Sequence, residues 1–415
     1  MPPAPRDTSI WDARPPAAWP EAPSEMTVTT LLEIESCPRR WALLAAAYPR
    51  LWSGRGYPPR VTLAALGGTV VHLALERITK ALVEAGCGSV QDSAAVEVMR
   101  TLGGYTKIIG DCIQAVQARA ATNPRAFRVA DFINRSLRAQ VPDLRARTQR
   151  LLSSVRVPDV GVSRAQPRQI GGSAYRAPLA EGIYAELELR VPTLRWKGKA
   201  DLLIIAPTSC VLTDFKTGAP DQAHEFQLQV YALLWSRDSE LNPSGRRADR
   251  LNVAYSSGQR EVAAPEEARL KELEHEVLAR RNEALRSVSQ RPPEARPSTE
   301  HCCYCAARHL CSEYWDVHLK TYGHQQTDRR FGDLEVTVTG RHGPASWDAV
   351  VEVSGGLPHG KSVVLRTSDD VSLQRNQRLR IVDAGITVGE DEAQPAVVTV
   401  GVLTEIYSVA GPANG

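Results

Sequence analysis

The sequence predicts an α/β protein in which helices flank a mixed central sheet, followed by a small all-β C-terminal domain. Three observations support this fold class. The first half has the apolar spacing of helices, and the pattern changes to short strands from Ile183. After Trp315 the apolar segments are short and β-branched. A chain of 415 residues also exceeds what one hydrophobic core usually serves.

The chain divides into three predicted parts. Residues 1–26 are interrupted by prolines and predict a flexible N-terminal arm. Residues 27–320 predict the mixed α/β domain, and 88–165 form a helical, basic insertion within it. Residues 328–415 predict a small barrel of the OB type, because five short strands occupy about 85 residues.

Composition excludes several classes of protein. The hydrophobic fraction is 43% and the charged fraction 23%, which excludes a mainly disordered or fibrous chain. No apolar run approaches the roughly 18 residues that a membrane span needs. The N-terminus lacks the basic-then-apolar pattern of a secretory signal, so we expect a cytoplasmic protein.

The net charge of +3 hides an uneven distribution. Residues 119–176 hold twelve Arg and three Asp, whereas residues 331–415 hold six basic and eleven acidic residues. Clustered Arg favours a polyanion partner, because Arg contacts phosphates and releases condensed counterions. We therefore expect Arg135, Arg138 and Arg145 to contact DNA. A solvated Arg-rich helical face is the alternative.

The elements of the α/β domain are predicted in order from periodicity and turn residues. The expected helices and strands are a helix over Leu31–Leu44, a helix over Gly68–Glu84, a mostly helical segment over 88–152, strands Ala185–Val191, Lys197–Ala206 and Cys210–Lys216, and helices Gln222–Trp235 and Pro265–Val288. Three prolines mark residues 290–298 as a linker.

The second and third strands carry the most informative residues. If the turn between them centres on Pro207 and Thr208, Asp201 lies opposite Asp214 on one face of the sheet. Lys216 shares that face because strand side chains alternate. Two carboxylates this close repel each other unless a cation lies between them, and oxygen ligands suit Mg²⁺ or Mn²⁺. A solvent-exposed hairpin with an Asp–Lys pair is the alternative.

These motifs resemble a known family. Gly198-x-x-Asp201, Asp214-x-Lys216 and Gln227-x-x-x-Tyr231 are similar to the core of PD-(D/E)XK nucleases of the RecB type. His72 matches the histidine that this family carries upstream of its sheet. The resemblance implies a restriction-endonuclease-like fold and a metal-dependent nuclease.

The resemblance also implies a role for each matching residue. His72, Asp201, Asp214 and the backbone carbonyl of Phe215 would coordinate the metal, and Lys216 would orient the attacking water or stabilise charge on the phosphate. Gln227 and Tyr231 are one helical turn apart and would contact DNA near the site. Tyr231 could equally be a core residue, because apolar residues surround it in sequence.

A compact cysteine group follows the linker. Cys302, Cys305 and Cys311 alone would suggest a zinc site completed by His301 or His309. The group also resembles the signature of AddB-type and CRISPR-associated iron–sulfur nucleases, in which an upstream cysteine like Cys37 completes the set. That resemblance implies a [4Fe–4S] cluster on the four thiolates. The neighbouring Cys303 departs from the usual pattern and could compete as a ligand.

The expected function is therefore hydrolysis of DNA, on single strands or at ends, in repair, recombination or antiviral defence. The sequence carries no helicase motor, so a helicase or another defence or repair protein could act as a partner. A catalytically silent DNA-end-binding scaffold is one alternative. A nucleotide-binding phosphate loop at Gly355–Ser362 is another, but the strand-like residues after it do not form the helix that such a loop requires.

Overall fold

The computed structural model describes residues 10–12, 14–49, 51–52, 56–87, 92–154, 176–322, 331–368, 371–389, 391 and 394–409. The predicted arm, the basic insertion and the C-terminal domain each include residues outside these ranges. These are 1–9 and 13 in the arm, 88–91 and 155–165 in the insertion, and 328–330, 369–370, 390, 392–393 and 410–415 in the C-terminal domain. Of the described helices, none is long and apolar enough to cross a membrane.

A five-stranded mixed sheet forms the centre of the α/β domain and confirms that fold class. Its strands, in spatial order, are β2 (Gly182–Val191), β3 (Trp196–Ile205), β4 (Cys210–Lys216), β5 (Arg250–Tyr255) and β6 (Gly258–Val262). Strands β4 and β5 run parallel, and the other neighbours are antiparallel. The crossover from β4 to β5 is a helix, as a parallel pair requires.

Helices cover both faces of this sheet. The described helices, in chain order, are α1 (Val28–Ser36), α2 (Pro38–Ala45), α3 (Leu63–Glu84), α4 (Ser93–Thr101), α5 (Gly104–Ala120), α6 (Pro124–Phe127), α7 (Ala130–Ala139), α8 (Val141–Ser154), α9 (Gln222–Arg237), α10 (Glu267–Ser289) and α11 (Leu319–Tyr322). One core packs α1, α9 and α10 on one face. A second core packs α3 and the insertion helices against Phe215 and Ala254 on the other face.

The first predicted helix is two helices. Cys37 is extended, with φ of −163°, and separates α1 from α2. Pro38 causes the break, because a residue before proline is driven out of the helical region and proline is well suited to the first helical position. Cys37 thereby becomes the N-cap of α2, and its Sγ accepts a hydrogen bond from the Arg40 N–H.

The C-terminal domain is a β-barrel. Its strands are β7 (Phe331–Gly343), β8 (Ser346–Ser354), β9 (Ser362–Arg366), β10 (Arg378–Thr387), β11 (Ala396–Thr399) and β12 (Glu405–Ser408). The hydrogen-bonded order β7–β8–β9–β11–β10 closes on itself, because β10 also pairs with β7. Only β9 and β11 in this circuit are parallel. The Gly355–Ser362 segment joins β8 to β9, so no helix follows it.

The N-terminal arm contributes to this barrel domain. Residues Ile10–Asp12 form strand β1, which pairs in parallel with β12. Met26 is fully buried and bridges to Trp196 of the central sheet. Ile10–Asp12 and Met26 of the predicted arm therefore pair with strands of the barrel and of the central sheet. Its sequence predicts no strand because the pairing partner lies at the far end of the chain.

The barrel is joined to the α/β domain by buried ion pairs. Arg125, on α6 of the insertion, donates two hydrogen bonds to Glu405 at 2.8 and 2.6 Å. Arg308 pairs with Asp333 at 2.6 Å and with Asp383 at 2.9 Å. Part of the insertion's Arg content thus holds the barrel, and Arg125 is too deeply buried to meet a polyanion.

Candidate active site

The two candidate carboxylates lie at the end of the β3–β4 ladder. All four pairs of that ladder, which begins with Leu202 opposite Thr213, have the register predicted from the sequence. Asp201 and Asp214 follow immediately beyond this pair. Beyond the ladder a side chain links the two strands: Asp201 Oδ2 accepts a 2.6 Å hydrogen bond from the Phe215 N–H.

Asp214 is nearly fully buried, with 2% of its surface exposed. Its neighbour Lys216 places Nζ 2.9 Å from Asp214 Oδ2, and Gln227 Nε2 donates to Oδ1 at 3.4 Å. The lysine contact is an ion pair without hydrogen-bond geometry, so Oδ2 has no hydrogen-bond donor among the described residues. A buried oxygen of this kind can accept a further ligand.

Gln227 connects the residues of the site. Its Oε1 accepts from Lys216 Nζ at 2.9 Å, and its Nε2 lies 2.6 Å from the Tyr231 hydroxyl. Both residues lie on α9, one turn apart, where they face the sheet. Tyr231 is buried in the core and also belongs to this network, and its contact with DNA stays a prediction.

Tyr231 requires a glycine opposite it. A Cβ atom at Gly198 of β3 would lie 2.6 Å from the ring atom Cε1 of Tyr231. No side chain fits at that distance, so the glycine lets α9 approach the strand. The tyrosine hydroxyl thereby reaches Gln227.

His72 approaches the carboxylates from α3, on the other side. Its Nδ1 lies 3.9 Å from Asp201 Oδ1. Burial lowers the pKa of His72, which favours the neutral ring that can ligate a metal. Burial, and then the charge of Asp214, raises the pKa of Asp201 well above its ordinary value.

Sequence reasoning missed Glu186 on β2. It lies in the β2–β3 ladder between Ala185 and Leu187, which places it opposite Asp201. Its φ of 56° is in the left-handed region, which is unusual for a residue with a side chain and is often found at functional sites. Its carboxylate pairs with Lys199. Glu186 belongs to no sequence motif. Only its position opposite Asp201 in the sheet connects it to the site, so the sequence alone does not identify it.

The site thus gathers one imidazole, the buried carboxylate of Asp214 and the partly buried carboxylate of Asp201, and a lysine lies beside them. Among the described residues, no three His, Cys, Asp or Glu side chains converge tightly enough to hold a single metal ion as they stand. Both Asp201 and Asp214 are instead held by donors of the protein. The donor types, the open oxygen of Asp214 and the raised pKa of Asp201 fit a divalent cation.

The four predicted cysteine ligands line one cavity. Cys37, Cys302, Cys305 and Cys311 surround a space of about 440 Å³, counting its open mouth. The helix break at Cys37 brings its thiol to this cavity. Cys303 is not among the lining residues, and its thiol points to the Thr299 carbonyl at 3.8 Å.

Backbone N–H groups point at two of these sulfur atoms. Ser298 N–H donates to Cys302 Sγ at 3.3 Å, and Arg296 N–H donates to Cys37 Sγ at 3.5 Å. Such donors stabilise negative charge on sulfur. Burial raises the pKa of Cys302, Cys305 and Cys311. These side chains are therefore protonated thiols unless a bound metal centre stabilises the thiolates.

The three predicted DNA-contacting arginines lie on the insertion. Arg135 and Arg138 belong to α7, Arg145 belongs to α8, and all three are exposed. Arg138 Nε donates to Asn134 at 2.8 Å. The described contacts do not connect these residues to the catalytic network.

Comparison with known proteins assigns the family. The model of the PD-(D/E)XK nuclease superfamily matches residues 25–312, which is most of the chain. The chain therefore belongs to the PD-(D/E)XK nuclease superfamily. Membership indicates a metal-dependent nuclease.

Two further comparisons, with curated proteins and with solved structures, do not add to this assignment. No curated protein matches the chain. A solved structure titled "Crystal structure of SSO0001" is similar at 21% identity, with a TM-score of 0.21. The match covers 31% of this chain and 60% of that chain.

Proposed function

We propose that this protein is a Mg²⁺- or Mn²⁺-dependent deoxyribonuclease of the RecB type that carries a [4Fe–4S] cluster. The observation that carries the proposal is the pair of adjacent carboxylates, the buried Asp214 and the partly buried Asp201, with Lys216 Nζ 2.9 Å from Asp214 Oδ2. The raised pKa of Asp201 supports it, because ionising two adjacent carboxylates is unfavourable until a cation compensates them.

The proposed roles follow from the contacts of each side chain. His72, Asp201, Asp214 and the Phe215 carbonyl would hold the divalent ion, which when bound acidifies water and offsets charge on the scissile phosphate. Lys216 would direct its Nζ at the attacking water or a phosphate oxygen. Gln227 fixes that ammonium from the helix side, and Tyr231 holds the amide in place.

The cysteine cavity supports the second part of the proposal. Four thiolates suit a [4Fe–4S] cluster, which binds each thiolate at a different iron atom. The four thiols line one cavity, and N–H groups are directed at two of them. A cluster here would link Cys37 to a segment far along the chain, which stabilises the fold by closing a long loop.

The substrate and the setting are also proposals. The exposed Arg135, Arg138 and Arg145 provide a basic surface for a DNA backbone, as single strands or ends. The closed five-strand circuit with one parallel pair supports an OB-like barrel. Repair, recombination or antiviral defence, with a helicase or a similar protein as partner, would suit such an enzyme in the cytoplasm.

The decisive experiment is a digestion assay with end-labelled linear and circular DNA, single- and double-stranded, with Mg²⁺, Mn²⁺ or EDTA. We expect wild-type protein to cleave DNA only with metal. Asp214→Ala and Lys216→Ala should each lose at least about a thousandfold in rate, since each removes a group that acts in the transition state. Exposed His275→Ala on α10 is the control. Binding of DNA without cleavage by the wild type would instead favour the silent scaffold.

The cluster has a separate test. Anaerobically purified protein should contain about four irons and four sulfides per chain, the stoichiometry of a [4Fe–4S] cluster. Cys311→Ser should lose them, while Cys303→Ser should keep them because that thiol points away from the cavity. Stoichiometric zinc without iron would overturn the cluster assignment and leave the nuclease assignment intact.

A further inference from the structure

A histidine and a tyrosine outside the family motifs lie beside the catalytic lysine. Tyr255, the last residue of β5, pairs in the parallel ladder with Lys216 of β4, so the two side chains share one face of the sheet. His224 reaches Tyr255 from α9, with its Nδ1 2.9 Å from the tyrosine oxygen. Neither residue has a role in the proposed function so far.

His224 extends the stripe of α9 that already forms the site. His224, Gln227 and Tyr231 follow one another at spacings of three and four residues, so they lie on one helix face. Tyr231 contacts Gln227, and Gln227 contacts Lys216 and Asp214. His224 is the next polar group along that line, away from the carboxylates and toward the start of the helix.

The hydrogen bonds around Tyr255 set the orientation of the imidazole. The Tyr255 hydroxyl lies 2.9 Å from His224 Nδ1, and we infer the tautomer in which the hydroxyl donates and Nδ1 accepts. An imidazole that accepts at Nδ1 carries its proton at Nε2. Of the described residues, none hydrogen-bonds that Nε2 atom, and His224 is only partly buried. The ring therefore presents one oriented N–H donor next to the catalytic lysine.

We propose that His224 Nε2 binds the DNA phosphate next to the scissile one, and that Tyr255 is the positioning residue that orients the ring. An oriented donor one helical turn beyond Gln227 suits a neighbouring phosphate of the same strand, because successive groups of α9 then follow the backbone. This inference rests on the proposed nuclease function. It adds a subsite that selects polynucleotides over substrates with a single phosphodiester.

The test compares two substrates that differ in the neighbouring phosphate. One is a fluorescein-labelled single-stranded oligo-dT, and the other is thymidine 5′-(4-nitrophenyl) phosphate, which has a single phosphodiester. We expect His224→Ala to raise the KM for oligo-dT about tenfold with little change in kcat, and to leave turnover of the small substrate unchanged. Tyr255→Phe should give a smaller rise of about threefold. His224→Gln should recover most of the loss, because its amide also donates.

A measurement of DNA binding tests the subsite independently of cleavage. In an Asp214→Asn background without metal, anisotropy should show that His224→Ala weakens oligo-dT binding about tenfold, while exposed His275→Ala has no effect. Equal losses of His224→Ala on both substrates, or unchanged oligo-dT binding, would overturn the subsite. If wild type cleaves neither substrate, the proposed nuclease function fails, and the binding arm alone still decides whether His224 contacts DNA.

Discussion

Two groups of buried acids in this protein have opposite electrostatic surroundings. At the barrel junction, Asp333 and Glu405 each receive several donors, including the guanidinium groups of Arg308 and Arg125. In the catalytic sheet, Asp201 and Asp214 face each other, and one oxygen of Asp214 lacks a hydrogen-bond donor among the described residues. Asp214 is as deeply buried as Asp333 and Glu405, so burial alone does not distinguish the two groups.

The pKa directions express the same difference. Burial opposes ionisation at both places, but the guanidinium of Arg308 lowers the pKa of Asp333, and that of Arg125 lowers the pKa of Glu405. In the catalytic sheet, burial and a second carboxylate raise the pKa of Asp201. A compensated acid stabilises the fold, whereas an uncompensated acid is a functional candidate because only a ligand can relieve it.

The largest expected effect comes from breaking the compensated group. Arg125→Met should destabilise the protein by about 3–5 kcal/mol, because it leaves Glu405 charged and buried with Arg60 as its nearest remaining cation at 3.7 Å. The shift of the urea denaturation midpoint measures this. Arg119→Met, an exposed arginine on α5, is the control and should stay within about 0.5 kcal/mol. If Arg125→Met changed the free energy of unfolding only slightly, contacts other than the Arg125–Glu405 pair would hold the barrel to the α/β domain.

A divalent cation should stabilise only the catalytic group. Mn²⁺ at about a hundredfold above its dissociation constant should raise the free energy of unfolding by about 2.7 kcal/mol, measured as a metal-dependent rise in Tm. Asp214→Asn should remove that increment. Glu405→Gln should keep it, despite a lower starting Tm, since that residue lies at the barrel junction. An equal increment in Asp214→Asn would mean that the ion binds elsewhere.

The smallest effect has the opposite sign to the first. In metal-free protein, Asp201→Asn should increase stability by about 1 kcal/mol, because it replaces a carboxyl group whose ionisation beside Asp214 is unfavourable, while its amide oxygen still accepts from Phe215 N–H. Asp333→Asn is the matched substitution at the junction and should destabilise strongly. Denaturation of both variants in EDTA gives the comparison. Loss of stability in both would show that the two acid groups are alike.

The local pattern of the sequence was sufficient for the catalytic strands. Alternation and one turn predict the β3–β4 register that the structure shows, and this register places Asp201 and Asp214 beside each other. Helix α9 was also predicted, together with the spacing of Gln227 and Tyr231. These features depend on residues close in sequence, where periodicity is informative.

Features that depend on distant partners were not predicted. Strands β5 and β6 are short and were missed, and Tyr255 was missed with them. The Arg-rich segment predicted a polyanion surface, but Arg125 instead finds its carboxylate on the last strand of the barrel. Glu186 likewise belongs to the site only because it lies opposite Asp201 in the sheet. In each case the partner lies in another element, and composition carries no information about it.

The pairing of β1 with β12 has a consequence for synthesis on the ribosome. Ile10–Asp12 leaves the exit tunnel long before its partner Ile406–Ser408 is translated. The nascent chain holds all five strands of the catalytic sheet once Val262 has emerged, while β1 is still unpaired. Because domains fold as units during translation, the catalytic sheet can form before β1 is attached, and attachment of β1 must wait until β12 has been made.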